Sequence, residues 1–424
     1  MAASAKARRR AGLVGGTRPW YDGRRSRTIV VNRDRRARWM SVMRVVVVGA
    51  GLGGVAAAVG LHRQGHEVTL YERGAELREA GTAVVVMPNG VRALDALGLS
   101  DHVRGQTMPA VSGGLRDWRG RPLLVTDVAQ AQQTVGPSVA VSRAELHRAL
   151  RAPLPAQSVR TATPVHWLGP GRTEVTVIGD GRLLTKADAV IVADGIGSTI
   201  RGRLFPRHPG LRRVGRLDLR GMLPRPASPD VTGLLAGIMI DRRTGAMFGL
   251  FPVGGDHLYW FTDSALHGAP PEADEARRDV LSLMADWHPS VPALIEATSP
   301  TDIYVDAIAC LAEPLPSFAI GRVALLGDAA HAMTPDLGQG ASQAFEDAAA
   351  VTRHLAGAGP ADVEQRLLRY DAERRPRTSR LMAASSRQAW LMSRTGATAW
   401  LRDAALRAVP RRLATRQLAS MWRV

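Results

Sequence analysis

Little in this chain supports covalent or metal cross-linking. One cysteine, Cys310, serves 424 residues, which excludes internal disulfides and metal–thiolate clusters and points to a reducing compartment, the cytoplasm. Lysine is nearly absent, at Lys6 and Lys186 alone, so the arginine excess reads as a compositional bias. No apolar run reaches the ~18 residues that a bilayer span needs. Aromatic residues make up 5% of the chain and do not interleave with basic clusters, which argues against a nucleic-acid groove. There is no internal repeat and no low-complexity segment.

The net charge of +18 sits at the ends. Residues 1–44 hold 13 Lys/Arg against Asp22 and Asp34, and residues 363–424 hold 14 Arg against 4 acids. The body between them is close to neutral, so the excess reads as composition or a solvated helix face rather than a binding surface. Residues 1–42, Arg-rich and without apolar periodicity, read as a basic disordered tail or an over-extended start, since no apolar segment follows Arg8-Arg9-Arg10 as a secretory signal requires.

What is present points to a dinucleotide. Val45 to Val48 is a β-branched run suited to a strand buried on both faces. It leads into Gly49-Ala50-Gly51-Leu52-Gly53-Gly54, whose Gly49, Gly51 and Gly54 fit the G-x-G-x-x-G turn: tight turn, backbone approach to a pyrophosphate, close helix packing. A helical stretch and a second strand, Glu67 to Glu72, follow. Glu72 lies 23 residues after Gly49, the spacing of a carboxylate that takes ribose hydroxyls and disfavours a 2′-phosphate. Far downstream, residues 322–347 form a strand, a Gly327-Asp328 turn and a helix start with Gly338 and Gly340. There bare N–H groups at a positive helix end favour an electron-rich ring.

Periodicity organises the rest. Residues 43–210 read as a nucleotide-binding domain carrying inserted segments, 211–310 as a sheet-rich substrate domain, 311–360 as a second cofactor-contacting segment and 361–424 as C-terminal helices. A hairpin is expected around Arg119-Gly120, strands over 213–223, 233–240, 244–252 and 256–263, and a helix over 272–298. Ser142 with Glu145 forms a capping box.

Four motifs carry a resemblance: the turn with Glu72, the Arg143 helix, Asp188 to Arg201 with its Asp194-Gly195 pair, and the Gly327-Asp328 segment. Over residues 43 to about 420 the chain resembles the FAD-dependent aromatic monooxygenases of the p-hydroxybenzoate hydroxylase fold, in the salicylate- and urate-hydroxylase-like branch. The resemblance implies an α/β fold, a Rossmann-like (GR2-type) FAD domain interleaved with a mixed β-sheet substrate domain. It implies non-covalent FAD and NADH or NADPH as a transient donor. Dioxygen would be activated as a C4a-hydroperoxide, and an aromatic, heteroaromatic or unsaturated small molecule oxygenated by a monomer or homodimer.

By the same resemblance Glu72 and Arg73 hold the adenosine end and Arg143 reaches the pyrophosphate side. Asp328 binds the ribityl chain, and Asp194 supports both FAD and donor. Thr82, Leu52, Gly53, Ala341 and Ser342 join the cofactor set, the backbone of 338–342 faces the pyrimidine end, and Pro335 shapes the loop at the reactive edge. His331 helps build the turn, and Tyr370 to Arg377 resembles the family's tail helix, although alone it would mean an ion-paired solvent face. Leu219-Arg220-Gly221 falls where the family has Trp-Arg-Gly, making Arg220 the residue over the ring despite Leu219. Met239, Met247, Phe248 and Tyr259 are the candidate substrate contacts. A flavin halogenase would need a Trp-x-Trp-x-Ile-Pro segment and a pocket lysine, which the chain lacks. A flavin oxidase or dehydrogenase and a non-catalytic flavin-binding partner remain open.

Overall fold

A computed structural model describes residues 42–77, 82–106, 112–226, 231 and 233–422. The basic segment 1–41 lies outside the described residues, and the expectation made for it with them.

The Arg44–Val48 strand is central to a six-stranded sheet. Its neighbours are Ala189–Val192 on one side and Glu67–Tyr71 on the other, all parallel. Val159–Arg160 extends one edge, and Val323–Leu325 with Ala319–Ile320 the other. Val45 to Val48 are at most 4% exposed, because helices cover both faces. Two of these, Leu52–Arg63 and Gly340–Leu355, approach closely: a Cβ on Gly53 would lie 2.9 Å from the Ala344 Cβ, and one on Gly60 would lie 2.4 Å from Thr352 Oγ1. Gly53 therefore serves helix packing, one turn after the strand end.

The second sheet has seven strands, ordered Ile303–Leu311, Leu211–Pro224, His257–Ala265, Met247–Val253, Gly237–Ile240, Ser112–Asp117 and Pro122–Asp127. Leu217, Leu219, Leu223, Phe248, Leu250, Leu258 and Trp260 pack on one face with the helices Ala273–Leu283 and Ser290–Ala297. Met222, Phe251, Val253, Tyr259 and Phe261 turn the other way, onto Ala83, Val85 and Ala140. These last belong to an antiparallel ribbon, Ala83–Val86 with Val139–Ser142. One face thus closes a core and the other looks toward the cofactor half.

The 272–298 helix is two helices. The first ends at Leu283 with Met284 as its cap, and Pro289 caps the second. The 233–240 strand shortens to Gly237–Ile240, since Ala236 takes a positive φ of 55°. Two short helices that periodicity missed carry side-chain caps: Asp127 accepts from Gln130 N at 2.9 Å and Ser198 accepts from Arg201 N at 3.0 Å.

Candidate functional site

The dinucleotide turn is held from three sides. Gly49 has φ +100°, donates its N–H to Tyr71 O at 2.8 Å, and leaves no room for a Cβ, which would sit 2.4 Å from Ala193 O. A Cβ on Gly54 would meet Gly49 O at 2.0 Å. Gly51 is different: nothing lies within 4 Å of its Cβ position, and no side chain caps the Leu52–Arg63 helix it opens. The first amides of that helix therefore have neither a side-chain cap nor a Cβ in front of them. Leu52 itself is buried at 5% exposure, so that residue offers backbone and no side chain.

Glu72 binds the turn to the sheet, accepting from Ala50 N at 2.9 Å and from Gly74 N at 2.8 Å. His147, which the sequence did not single out, fixes the same turn from behind: its Nε2 lies 2.7 Å from Ala50 O. Its signal was the capping box, because Ser142 Oγ accepts from Glu145 N at 3.4 Å and so sets the phase of the Arg143–Arg151 helix. Arg143 stands exposed at that helix start, its N–H donating to Thr82 O at 3.1 Å, while the Thr82 side chain is buried. Arg73 is exposed beside the strand end.

Arg201 joins the two cofactor motifs. Buried at 5% exposure, it donates to Asp328 O and Ala329 O, both at 3.3 Å, and to Ile196 O at 2.6 Å. The Asp194 carboxyl is pushed up by burial, with Ser198 and the charges of Arg201 and Arg73 working against the shift. Its Oδ1 is buried with no partner. Asp328 leads the short Asp328–His331 helix with its side chain exposed, after Gly327 at φ +62°. Beneath that turn, Asp347 Oδ2 accepts from Gly327 N at 2.9 Å and meets His331 Nε2 at 2.6 Å, while Asp347 Oδ1 accepts from Arg374 Nε at 2.6 Å. Arg374 is 3% exposed and also bonds Glu346. The tail helix is therefore no solvent face at this point; it supplies the cation that neutralises two buried carboxylates.

The second helix start has the same open character. Gly338 is left-handed at φ +60°, Gly340 has nothing within 4 Å of its Cβ position, and no side chain caps Gly340–Leu355. The Gly340 and Ala341 amides thus lack intrahelical acceptors. The Ser342 side chain is fully buried and its Oγ accepts from Met87 N at 3.0 Å, so what this residue can offer a ligand is its backbone. Gln339, Asn89, Gln343 and Glu346 share a buried hydrogen-bond network under this start. Pro335 is exposed at the head of the Pro335–Leu337 turn.

Strand alternation sorts the substrate candidates. Met239 and Phe248, at 2% and 1% exposure, pack in the helix-covered core and cannot touch a ligand on the opposite face. Leu219 shares that core, so its departure from tryptophan falls away from the site. Met247 faces Ile240, Leu123 and Met392 in a separate cluster. Tyr259 alone of the four stands in the aromatic wall, with Phe251 and Phe261 at centroid distances of 6.3 and 6.4 Å. Arg220 borders that wall, bonded to Asp306 and with Nε 3.0 Å from Asp218 Oδ2.

The sequence missed Asp218, two residues from Arg220 on the same side of its strand. Burial raises its carboxyl to about 6, with Arg220 pulling it down and Asp263 pushing it up. Asp263 is raised by burial to about 6 as well; Arg216 lowers it and Asp336 raises it. Asp336 belongs to the Pro335–Leu337 turn. The charge of that turn thus acts on the carboxylate end of the sheet face.

A flavin dinucleotide fits these features. Two uncapped helix starts lack Cβ obstruction, a buried carboxylate oxygen is unpartnered, and an exposed aspartate follows a strand end.

Comparison with known proteins agrees. A family model described as an FAD binding domain matches residues 42–385. The chain is 30% identical over 376 residues to an aurachin C monooxygenase/isomerase of Stigmatella aurantiaca, covering 86% of this chain and 93% of the relative. It is 32% identical over 369 residues to a 6-hydroxynicotinate 3-monooxygenase of Pseudomonas fluorescens, covering 82% and 91%. Klebsiella pneumoniae HpxO, solved with FAD and uric acid, superposes with a TM-score of 0.81 at 28% identity, covering 90% of this chain and 96% of that one. Among the described residues no helix is long and apolar enough to cross a membrane. The chain belongs to this FAD-binding family and is an FAD-dependent monooxygenase of the p-hydroxybenzoate hydroxylase fold.

Proposed function

We propose that the substrate is a small aromatic or heteroaromatic molecule bearing an ionisable O–H or N–H rather than a carboxylate. The observation that carries this reading is the pairing on the site face. Arg216 and Arg220, the cations of that face, are each committed to an aspartate, whereas Asp218 has no hydrogen-bond donor among the described residues beyond the ion-pair contact with Arg220. The Phe251–Tyr259–Phe261 wall offers a flat apolar surface for a ring. Asp218, raised by burial to about 6, accepts the ring's proton as a base stronger than an ordinary carboxylate and so enriches the carbon to be oxygenated.

FAD, held by the Gly51 and Gly340 helix starts, Glu72, Asp194 and Asp328, supplies electron transfer from NADH or NADPH and activation of dioxygen. The protein's part is to hold the ring, take its proton at Asp218 and exclude water. Arg220, at the border of the aromatic wall, would place its charge near the bound cofactor's ring, tempered by its pairing with Asp306 and Asp218. With one buried thiol, we assign the enzyme to a reducing cytoplasm.

The test is a screen of phenols, hydroxyquinolines and hydroxyindoles, with matched carboxylates, for stimulation of NAD(P)H oxidation by purified yellow protein under isotopic dioxygen. One labelled oxygen in a non-carboxylated product is expected. Turnover without oxygen insertion would instead assign a flavin oxidase or dehydrogenase, and preference for the carboxylates would overturn the reading of Asp218.

A further inference from the structure

One C-terminal helix carries its polarity inside out. In Gly396–Ala408 the buried positions are Ala399, Arg402 and Asp403. Arg402 donates to Asp403 Oδ1 at 3.0 and 2.8 Å and to Met392 O at 2.7 Å, so an ion pair faces inward and locks onto the end of the preceding helix. The opposite side carries Ala397, Trp400, Leu401, Ala404 and Ala408, the spacing of one continuous stripe. Trp400 and Leu401 are 55% and 60% exposed; Trp390 on the preceding helix and Leu413 on the following one are exposed as well. Apolar side chains grouped this way on a surface mark a contact.

Charge decides what kind of contact. Residues 386–424 hold eight arginines and one acid, Asp403, and that acid is buried on Arg402. Arg394 lies over the Trp390 ring, 3.9 Å from its centroid, and Arg407 and Arg412 are exposed. A second copy docking face to face would set arginine against arginine with no exposed carboxylate from this segment to meet it. An anionic bilayer surface complements all three features: tryptophan at the headgroup boundary, aliphatic side chains just beneath it, arginine on phosphate. The family match ends at residue 385, so this face lies beyond the part of the chain that the family describes.

We propose that the Gly396–Ala408 helix docks the enzyme reversibly on an anionic phospholipid surface, lying in the plane of the interface with Trp400 and Leu401 inserted. The proposal is independent of the substrate reading.

The test is flotation of the FAD-loaded full chain with vesicles of phosphatidylcholine alone or with about one-third phosphatidylglycerol, across a salt series. Binding to the anionic vesicles only, weakened by salt, is expected. Trp400→Ser with Leu401→Ser should reduce it at least ~10-fold while leaving flavin content and NAD(P)H oxidation unchanged. Absence of binding, or equal binding by the double variant, would overturn the proposal. So would concentration-dependent dimerisation that the same variant abolishes, because the stripe would then belong to a second copy.

Discussion

His331 Nε2 lies 2.6 Å from Asp347 Oδ2, and both side chains are wholly buried. The pair sits under the Gly327-Asp328 turn, where Asp347 also takes the Gly327 amide and the Arg374 guanidinium. Burial alone would raise the Asp347 carboxyl; His331 and Arg374 overcome it and hold the group at about 2.

Asp347 therefore makes the fold acid-sensitive in a definite window. A carboxyl whose folded pKa is depressed contributes stability that is present above its unfolded value and is lost as pH falls through the folded one. The loss should begin as pH drops below about 5 and be complete near 1, worth roughly 2 kcal/mol. Asp347→Asn should flatten that part of the stability–pH curve in denaturant titrations. Asp347→Ala, which removes one of the two carboxylates that Arg374 bonds and leaves the buried Gly327 amide without its acceptor, should cost about 3–5 kcal/mol. An Asn variant with the parent's acid profile would place the sensitivity elsewhere.

Gly51 and Gly54 should separate cofactor from fold. Nothing lies within 4 Å of the Gly51 Cβ position and its φ of −69° suits any residue, so Gly51→Val should fold with a midpoint close to the parent's. The added methyls would fill the open space before the helix start proposed for the pyrophosphate, and FAD affinity should fall ~100-fold or more. Gly54→Val must displace Gly49 O and should be poorly folded. A yellow Gly51→Val protein of parental affinity would move the cofactor away from this turn.

Asp328 should matter for binding rather than stability, since its side chain is exposed. Asp328→Ala removes a charge-assisted hydrogen bond to a polyol, worth roughly 1.5–3 kcal/mol, so FAD affinity should drop ~10–100-fold with little change in the unfolding midpoint. Fluorescence titration of apoprotein with FAD measures the first and thermal denaturation of apoprotein the second. Unchanged affinity would remove Asp328 from the site.

Asp218 and Arg220 should divide the chemistry. A proton acceptor with a pKa of about 6 is active when ionised, so kcat/KM should rise with pH through about 6 and level off above it. Asp218→Asn should abolish that limb and slow oxygenation ~100-fold or more while FAD stays bound. Asp263→Asn, which tests the neighbouring carboxyl of similar pKa, should keep the limb. Arg220→Ala should retain FAD and divert NAD(P)H oxidation toward hydrogen peroxide. Parental rate and coupling in that variant would make Arg220 a plain strand residue.

Much of the cofactor half was legible in the chain because its requirements are local. Gly49, Gly54, Gly327 and Gly338 are demanded by a turn or a close approach between near neighbours in sequence or at a strand end, and Glu72 closes on Ala50 across one βαβ unit. Such constraints leave spacings behind. The same locality made Ser142 and Glu145 readable, and through them the phase of the Arg143–Arg151 helix.

The substrate side was not legible in this way. Met239, Phe248 and Tyr259 look alike in a string, and two-residue alternation says which of them share a face without saying which face meets the cofactor. The helices Ala273–Leu283 and Ser290–Ala297 decide that by covering one side. Likewise Arg374 lies in a run of charges that by itself would suggest solvent, and Asp347 on a helix with no obvious mark. Only the packing of the tail helix across the Gly340–Leu355 helix brings them together in a place without water, where each needs the other. The sequence determined the turns, caps and alternation that short-range sterics and hydrogen bonding impose; which faces are buried, and hence which charges are paired, rests on contacts between distant segments that only the tertiary structure supplies.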